Sequence, residues 1–254
     1  MFGYTYGSET LPQGHWELYQ WATFRSGKAD GRYHAADYQT EIEYGFTDRL
    51  QGSLYLNAVR HDVAGVSGFT DRDQFRFNGI QGSLKYRVLS PYKDGCGLAY
   101  YLEPGYQRYS RKSGEREDIF FLEAKVITQK NFLDDTVIWA ANFSAELERA
   151  HDIASHEWET ELELGLTTGL SYRFAPGWSA GAEAVFVAAF ERADPGRLGE
   201  YGVFLGPSVH YARARWWFTA TTLAQVSGWP GNSGGRNLDN FEKLEVRLKL
   251  GLNF

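Results

Sequence analysis

Residues 244–254 read LEVRLKLGLNF, and this closing stretch decides the fold. Its apolar members recur at every second position: Leu244, Val246, Leu248, Leu250, Leu252 and Phe254. The residues between them are charged, polar or glycine. A period of two indicates a β-strand with one apolar and one polar face. Such a strand either forms the edge of a soluble sheet or faces lipid in the wall of a membrane barrel.

Composition excludes several other classes of protein. The 254-residue chain has no run of 18 apolar residues, so we expect no transmembrane helix. A net charge of −6 without a basic stripe argues against nucleic-acid binding. Cys96 is the single cysteine, which excludes an intrachain disulfide and a cysteine-based metal site. No phosphate-loop, dinucleotide or zinc motif occurs, so no cofactor and no metal are predicted.

The chain upstream repeats the same alternating theme and predicts twelve strands. Their predicted ranges are 15–25, 33–46, 50–60, 75–89, 96–109, 117–130, 136–150, 158–174, 178–192, 200–212, 214–227 and 241–254. Short and longer gaps between the strands alternate, which is typical of the two sides of an outer-membrane barrel. We therefore predict an all-β fold, a transmembrane antiparallel up-and-down β-barrel of 12 strands. Residues 15–254 form this single barrel, and residues 1–14 form a periplasmic N-terminal leader.

Aromatic residues of the apolar phase concentrate near both strand ends, as two interfacial belts would require. The final Phe254 also resembles the closing residue of bacterial outer-membrane barrels. That likeness implies a membrane-facing last strand that the barrel-assembly machinery recognises. Outer-membrane lipid and lipopolysaccharide are the other expected partners. No basic segment with an apolar h-region is present, so we expect a mature chain from which a signal peptide has been removed.

A family resemblance covers most of the chain. The opening GSETLPQGHWELYQW (7–21), the hairpin EIEYGFTDRLQGSLYLN (41–57) and the closing LEVRLKLGLNF resemble an uncharacterised family of Gram-negative outer-membrane barrel proteins. The resemblance implies the barrel fold and general porin or transporter character. It carries no catalytic motif.

If the apolar phase faces lipid, the polar phase lines the lumen. The acids of a predicted lumen filter are Asp37, Glu41, Glu43, Glu146, Glu148, Glu159, Glu161 and Glu163. A predicted basic wall comprises Lys85, Arg87, Arg173, Arg215, Lys243, Arg247 and Lys249. Five of the acids meet on the seventh and eighth strands, where they would focus cations at the mouth. The alternative is a network of ion pairs that plugs a narrow barrel.

The pattern favours a porin-like channel for passive diffusion of small hydrophilic solutes, with a preference for cations. Twelve strands leave at most ~10 Å inside, between filled small barrels and open large ones. A closed barrel that binds periplasmic or surface partners remains the second hypothesis. A lipid hydrolase is the third: Ser208 and His210 share one face, and His151, Asp152, Ser155 and His156 share one loop. The prediction is a non-enzyme.

Overall fold

A computed structural model describes residues 1–231 and 233–254. Its twelve strands run in chain order β1 Trp16–Ser26, β2 Arg32–Thr47, β3 Leu50–Ala64, β4 Arg72–Leu89, β5 Gly97–Tyr109, β6 Arg116–Phe132, β7 Val137–Asp152, β8 Trp158–Ala175, β9 Trp178–Glu191, β10 Leu198–Ala212, β11 Trp216–Trp229 and β12 Leu244–Asn253. Among the described residues, no helix is long and apolar enough to cross a membrane.

Each strand pairs with its chain neighbours in antiparallel register, and β12 pairs with β1 to close the barrel. The closure runs from Glu17 opposite Asn253 to Ser26 opposite Leu244. Phe254 continues it, because its backbone N–H donates to the Trp16 carbonyl oxygen at 3.0 Å. The predicted 12-strand, up-and-down barrel is confirmed.

The apolar phase faces outward along the wall. Leu54, Leu56 and Leu84 are each more than half exposed on the outer surface. The last strand follows the same rule, with Leu244, Leu250, Leu252 and Phe254 exposed and Val246 and Leu248 half-buried. Alternation therefore gives the wall an apolar exterior and leaves its polar phase for the lumen.

Aromatic rings cluster on the exterior at both strand ends. At the short-turn end, the ring centroids of Trp16 and Tyr44 lie 4.4 Å apart and those of Trp178 and Tyr211 lie 4.5 Å apart. At the long-loop end, Tyr106 and Phe120 lie 5.1 Å apart. Rings at these two levels suit the two interfaces of a bilayer.

Two details of the strands could be assigned only from the structure: the orientation of the first strand and the start of the last one. The first strand exposes Gln20 on the apolar face, where its amide donates to the Gln39 carbonyl oxygen and accepts from the Thr40 hydroxyl. The predicted last strand began at residue 241, but the observed β12 begins at Leu244. Lys243 therefore precedes the strand, held by its backbone N–H bond to the Gly27 carbonyl oxygen at 2.8 Å.

Candidate functional site

Glutamates form two rows across neighbouring strands on one side of the lumen. In the first row, Glu103, Glu123, Glu146 and Glu163 are successive register partners on β5, β6, β7 and β8. In the second, nearer the long loops, Glu148, Glu161 and Glu191 are partners on β7, β8 and β9. Glu159 lies beyond them, opposite Ala150. The loop of residues 153–157 that joins β7 to β8 creates this alignment, because it sets the register.

Five of these side chains form what we call the acidic face: Glu146, Glu148, Glu159, Glu161 and Glu163. Within the described part of the chain, no hydrogen bond or ion pair to their carboxylates is found. Glu159, Glu161 and Glu163 are exposed, and Glu146 and Glu148 are half-exposed. Lumen-facing side chains can be exposed only where the lumen holds solvent, so the acidic face borders water.

The other predicted filter acids lie on the opposite wall and are enclosed. Asp37 pairs with Arg25 at 3.0 Å and with Arg111 at 3.2 Å. Glu43 accepts from Tyr19, Gln51 and Ser53 at 2.9–3.1 Å. Glu41 is only 1% exposed. These three carboxylates share β2 and lie apart from the acidic face. The lumen therefore has one side that is closely packed and one side that is accessible to solvent.

The predicted basic wall is dispersed, and each of its members has a different surrounding. Lys85 donates to the Glu9 carbonyl oxygen at 2.5 Å, Arg87 to that of Asp48 at 2.6 Å and Arg173 to that of Asp134 at 3.5 Å. Arg215 lies in the turn before β11, and Lys243 is exposed before β12. On β12, the Arg247 guanidinium stacks 3.9 Å from the Tyr4 ring centroid and Lys249 Nζ lies 3.7 Å from that of Trp21.

Residues 1–14, which we call the N-terminal segment, lie inside the barrel. They enter at the short-turn end, where the Gly14 N–H donates to the Gly45 carbonyl oxygen at 2.9 Å and the Gln13 N–H to Asp48 at 3.0 Å. Further in, the backbone N–H groups of Gly3, Tyr4 and Thr5 all donate to the Glu183 carboxylate. Residues 1–14, which were predicted to form a leader on the periplasmic side, thus run from the short-turn end into the lumen and fill part of it.

The loop between β5 and β6, residues 110–115, folds inward from the long-loop end. Its Arg111 carbonyl oxygen accepts from Arg25 at 2.5 Å and lies 3.0 Å from His61 Nε2. Lys112 donates to Glu200 at 3.3 Å and to Asn240 at 2.8 Å, across the barrel. The Asp37 carboxylate raises the pKa of Arg111 above its ordinary value, so this cation stays charged. Arg111 acts electrostatically on Glu148 and Glu163, so the loop sets cations against the acidic face.

The loop before β12 closes over the same end. Glu242 pairs with Arg25 at 2.8 Å and lies 3.8 Å from Lys28 Nζ. Burial raises the pKa of Glu242, but the charges of Arg25 and Lys28 outweigh it and hold that pKa below 4.5. Burial also lowers the pKa of Lys28 to about 8. A charged cluster therefore anchors this loop to β1.

The candidate catalytic residues do not form a nucleophile–base pair among the described residues. His210 Nδ1 lies 2.8 Å from the Thr219 hydroxyl oxygen, inside the lumen. His151 and His156 are 6.2 Å apart by ring centroid, and Asp152 accepts the backbone N–H groups of Ala154 and Ser155. In the described ranges no Ser–His hydrogen bond and no group of three metal-ligating side chains is found.

Sequence reasoning missed the roles of Glu183, Arg111 and Lys112. Glu183 has the same alternating phase as the other lumen acids, and nothing local distinguishes it. The available signal was the pair of glycines in GYTYG, residues 3–7. A Cβ at Gly3 would lie 2.7 Å from the Thr221 Cβ, so a side chain there would require the segment or Thr221 to shift.

Comparisons with known proteins agree with the barrel architecture. The COG4313 outer membrane channel from Pseudomonas putida F1 superposes with a TM-score of 0.63 at 14% identity, over 97% of this chain and 98% of that one. The NanC porin gives 0.59 at 10% identity, over 93% and 100%. The translocator domain of the autotransporter NalP from Neisseria meningitidis gives 0.55 at 11% identity, over 94% and 88%. At such identities the likeness shows the fold alone.

Comparison by sequence identifies a family. No curated protein matches the chain. The model of a family of unknown function, DUF6662, matches residues 1–254.

Proposed function

The chain belongs to the DUF6662 family, and we propose that it is an outer-membrane channel for passive diffusion of small hydrophilic solutes, with a preference for cations. The observation that carries this proposal is the acidic face. Its five residues are exposed or half-exposed in the lumen, and their carboxylates form no hydrogen bond or ion pair with the described residues. Uncompensated charge inside a low-dielectric wall raises the local concentration of the opposite ion.

An outer-membrane location is supported by the exterior of the barrel. Large apolar side chains such as Leu54, Phe143 and Leu170 are more than half exposed. A continuous apolar surface over a whole wall is unfavourable in water and suits contact with lipid. The rings at both strand ends add the two interfaces. Of the solved barrels that share the fold, one is named an outer membrane channel and another a porin.

Contacts with lipid and with assembly factors belong to the same proposal. At the long-loop end, the Arg149 guanidinium lies 4.5 Å from the Trp158 ring centroid, on the outer wall. A basic group held there suits the phosphates of lipopolysaccharide. The exposed apolar face of β12 and Phe254 suits recognition by the barrel-assembly machinery during insertion.

Solute size is limited by what occupies the lumen. The N-terminal segment crosses the lumen in its short-turn half, and the β5–β6 loop narrows the long-loop end. The space along the acidic face can therefore hold small hydrated ions and small organic cations rather than folded or bulky molecules. Arg111 and Lys112 oppose the acidic face. A solute in the lumen therefore has cationic side chains on one side and carboxylates on the other, and the lumen is not uniformly negative.

Swelling of proteoliposomes tests the proposal directly. Small organic cations should enter fastest, then neutral solutes of the same size, then anions. A variant with Glu159, Glu161 and Glu163 all changed to Gln should lose this order. The matched control is Glu43→Gln, which removes one carboxylate enclosed by Tyr19, Gln51 and Ser53. Entry of none of the solutes, or preferential entry of anions, would contradict the proposal.

A closed barrel that docks periplasmic or surface partners is the second candidate. One observation favours it: the N-terminal segment and two loops occupy the lumen and are hydrogen-bonded to its wall. On this reading the barrel inserts correctly and no solute passes in any variant. The swelling experiment separates the two candidates.

A further inference from the structure

The N-terminal segment crosses the lumen without pairing as a strand of the β-sheet. Side chains of the barrel wall hold it through hydrogen bonds. The Leu11 N–H donates to Gln51 Oε1 at 2.8 Å, and the Ser8 N–H to Gln129 Oε1 at 2.8 Å. Asn142 binds Tyr6 twice: its Oδ1 accepts the Tyr6 N–H at 2.6 Å, and its amide donates to the Tyr6 carbonyl oxygen at 2.9 Å. Such a segment can detach while every strand pairing stays intact.

Glu183 is the innermost anchor of this segment. Its carboxylate accepts the N–H groups of Gly3, Tyr4 and Thr5 at 2.7–2.8 Å and the Thr221 hydroxyl at 2.8 Å. The side chain is 1% exposed. Hydrogen bonds to a buried carboxylate are about twice as strong as neutral ones. Loss of that one negative charge would therefore weaken all four bonds together.

The segment ends against β7 and β8, the strands that carry most of the acidic face, on its short-turn side. Phe2 packs on Ile138 and Ala140 of β7 and lies against Gly169 of β8. These positions follow the Glu146–Glu163 pair toward the short turns, because Ala140 is opposite Gly169 in the same register. Beyond Phe2 and Met1, a recess of about 200 Å³ opens toward the short turns, lined in part by Ser171 and Arg173. Met1 thus borders this recess, and Phe2 packs on Ile138 at its rim.

We propose that residues 2–8 are a reversible plug: the channel is closed while Glu183 holds Gly3–Thr5, and it conducts when the segment leaves this seat. This proposal rests on the proposed channel function, and it identifies residues 2–8 as the gate of that channel. The seat is specific, since at Gly3 a side chain would meet Thr221. Tyr4 and Tyr6 reinforce it through Arg247, at 3.9 Å from the Tyr4 ring centroid, and Lys125, at 4.8 Å from that of Tyr6.

A reversible tether tests the plug in the full-length protein. The double variant Gly3→Cys with Thr221→Cys, made with Cys96→Ser, brings two Cβ atoms together whose ideal positions are 2.7 Å apart. A disulfide needs ~3.8 Å, a shift of about 1 Å that a segment outside the ladder can make. Single-channel recording in planar bilayers is the readout, with disulfide formation verified by mass. Oxidation should abolish channel openings, and reduction should restore them in the same bilayer.

Weakening the seat is the complementary test. Glu183→Gln should raise the open probability about tenfold or more, since the anchoring charge is lost. The matched control is Glu17→Gln, a buried carboxylate whose hydroxyl and indole donors, Tyr19 and Trp217, belong to the wall. Glu17→Gln should keep the wild-type open probability.

The outcomes distinguish the plug from the channel itself. Equal conductance in oxidised and reduced tether, with Glu183→Gln unchanged, would overturn the plug and leave the channel standing. Absence of conductance from every variant, the reduced tether included, would overturn the channel and the plug with it. Closure on oxidation together with a higher open probability in Glu183→Gln would support both.

Discussion

Glu146 on β7 and Glu163 on β8 lie directly opposite each other in the strand register, and no partner for either carboxylate is found among the described residues. Like charges at opposite positions of neighbouring strands destabilise a sheet. A second such pair, Glu148 and Glu161, follows two residues further along. The barrel therefore keeps a local electrostatic strain on a solvent-accessible part of its lumen.

Relief of this strain should stabilise the barrel. Glu146→Gln is expected to raise the free energy of unfolding by about 0.2–1 kcal/mol, the range for cross-strand pairs. Glu103→Gln is the contrast, because Gln81 donates to the Glu103 carboxylate at 2.9 Å; there stability should stay equal or fall. Urea unfolding in lipid vesicles measures both, and a destabilised Glu146→Gln would mean that its carboxylate has a stabilising partner.

Arg111 should reduce the preference for cations. Its guanidinium lies in the β5–β6 loop, is about half exposed and opposes the acidic face. Arg111→Met removes this charge, and the ratio of cation to anion permeability is expected to rise about two- to fivefold, the effect of about 0.5–1 kcal/mol. Arg32→Met, at an exposed position paired with Asp62, is the control and should leave the ratio unchanged. A fall of the ratio in Arg111→Met would exclude this role.

Gly79 should be intolerant of any side chain. It has a φ of +116° at the irregularity between β3 and β4, and a Cβ there would lie 2.0 Å from the Tyr106 carbonyl oxygen. Gly79→Ala is expected to cost at least about 2 kcal/mol, because backbone strain and overpacking add. Gly82→Ala on the same strand meets only contacts of 3.5 Å and should change stability by less than about 1 kcal/mol. Equal losses in the two variants would refute the steric explanation.

Acid should release the loop before β12. The pKa of Glu242 is held below 4.5 by Arg25 and Lys28, so the folded state binds its proton less readily than the unfolded state. Its stabilisation is therefore fully present above pH 4.5 and is lost as pH falls through the lower folded value. Hydrogen exchange of residues 233–243 should accelerate over that range. In Glu242→Gln the exchange should already be fast at neutral pH, and its pH dependence should be weaker than that of the wild-type chain.

The alternation of the sequence was sufficient for the barrel and for the acidic face. Glu146, Glu148, Glu159, Glu161 and Glu163 could be assigned to one wall because strand phase and the direct connection of β7 to β8 fix their neighbours. Asp37, Glu41 and Glu43 carry the same phase but are enclosed by Arg25, Arg111 and wall hydroxyls. That difference depends on contacts across the barrel, such as Arg111 to Asp37 over 74 residues, which no local period records.

The positions of the N-terminal segment and of Lys243 could not be predicted from the sequence for the same reason. Residues 1–14 have no periodicity, so no pattern in the sequence indicates where they lie, and a periplasmic leader was the default prediction. Their actual path depends on Glu183, some 180 residues away in sequence. Lys243 continues the alternation of β12 but lies before the strand, because its backbone N–H binds Gly27 in another loop.

The reversal potential in a KCl gradient tests the central claim most directly. Planar bilayers containing the full-length protein should give a potential of the sign that marks K⁺ as the more permeant ion. Neutralisation of Glu161 and Glu163 by Glu161→Gln and Glu163→Gln should move this potential toward zero, while Glu43→Gln should leave it in place. A potential of the opposite sign, or one unchanged by loss of both carboxylates, would contradict the assignment of the acidic face as the selectivity filter.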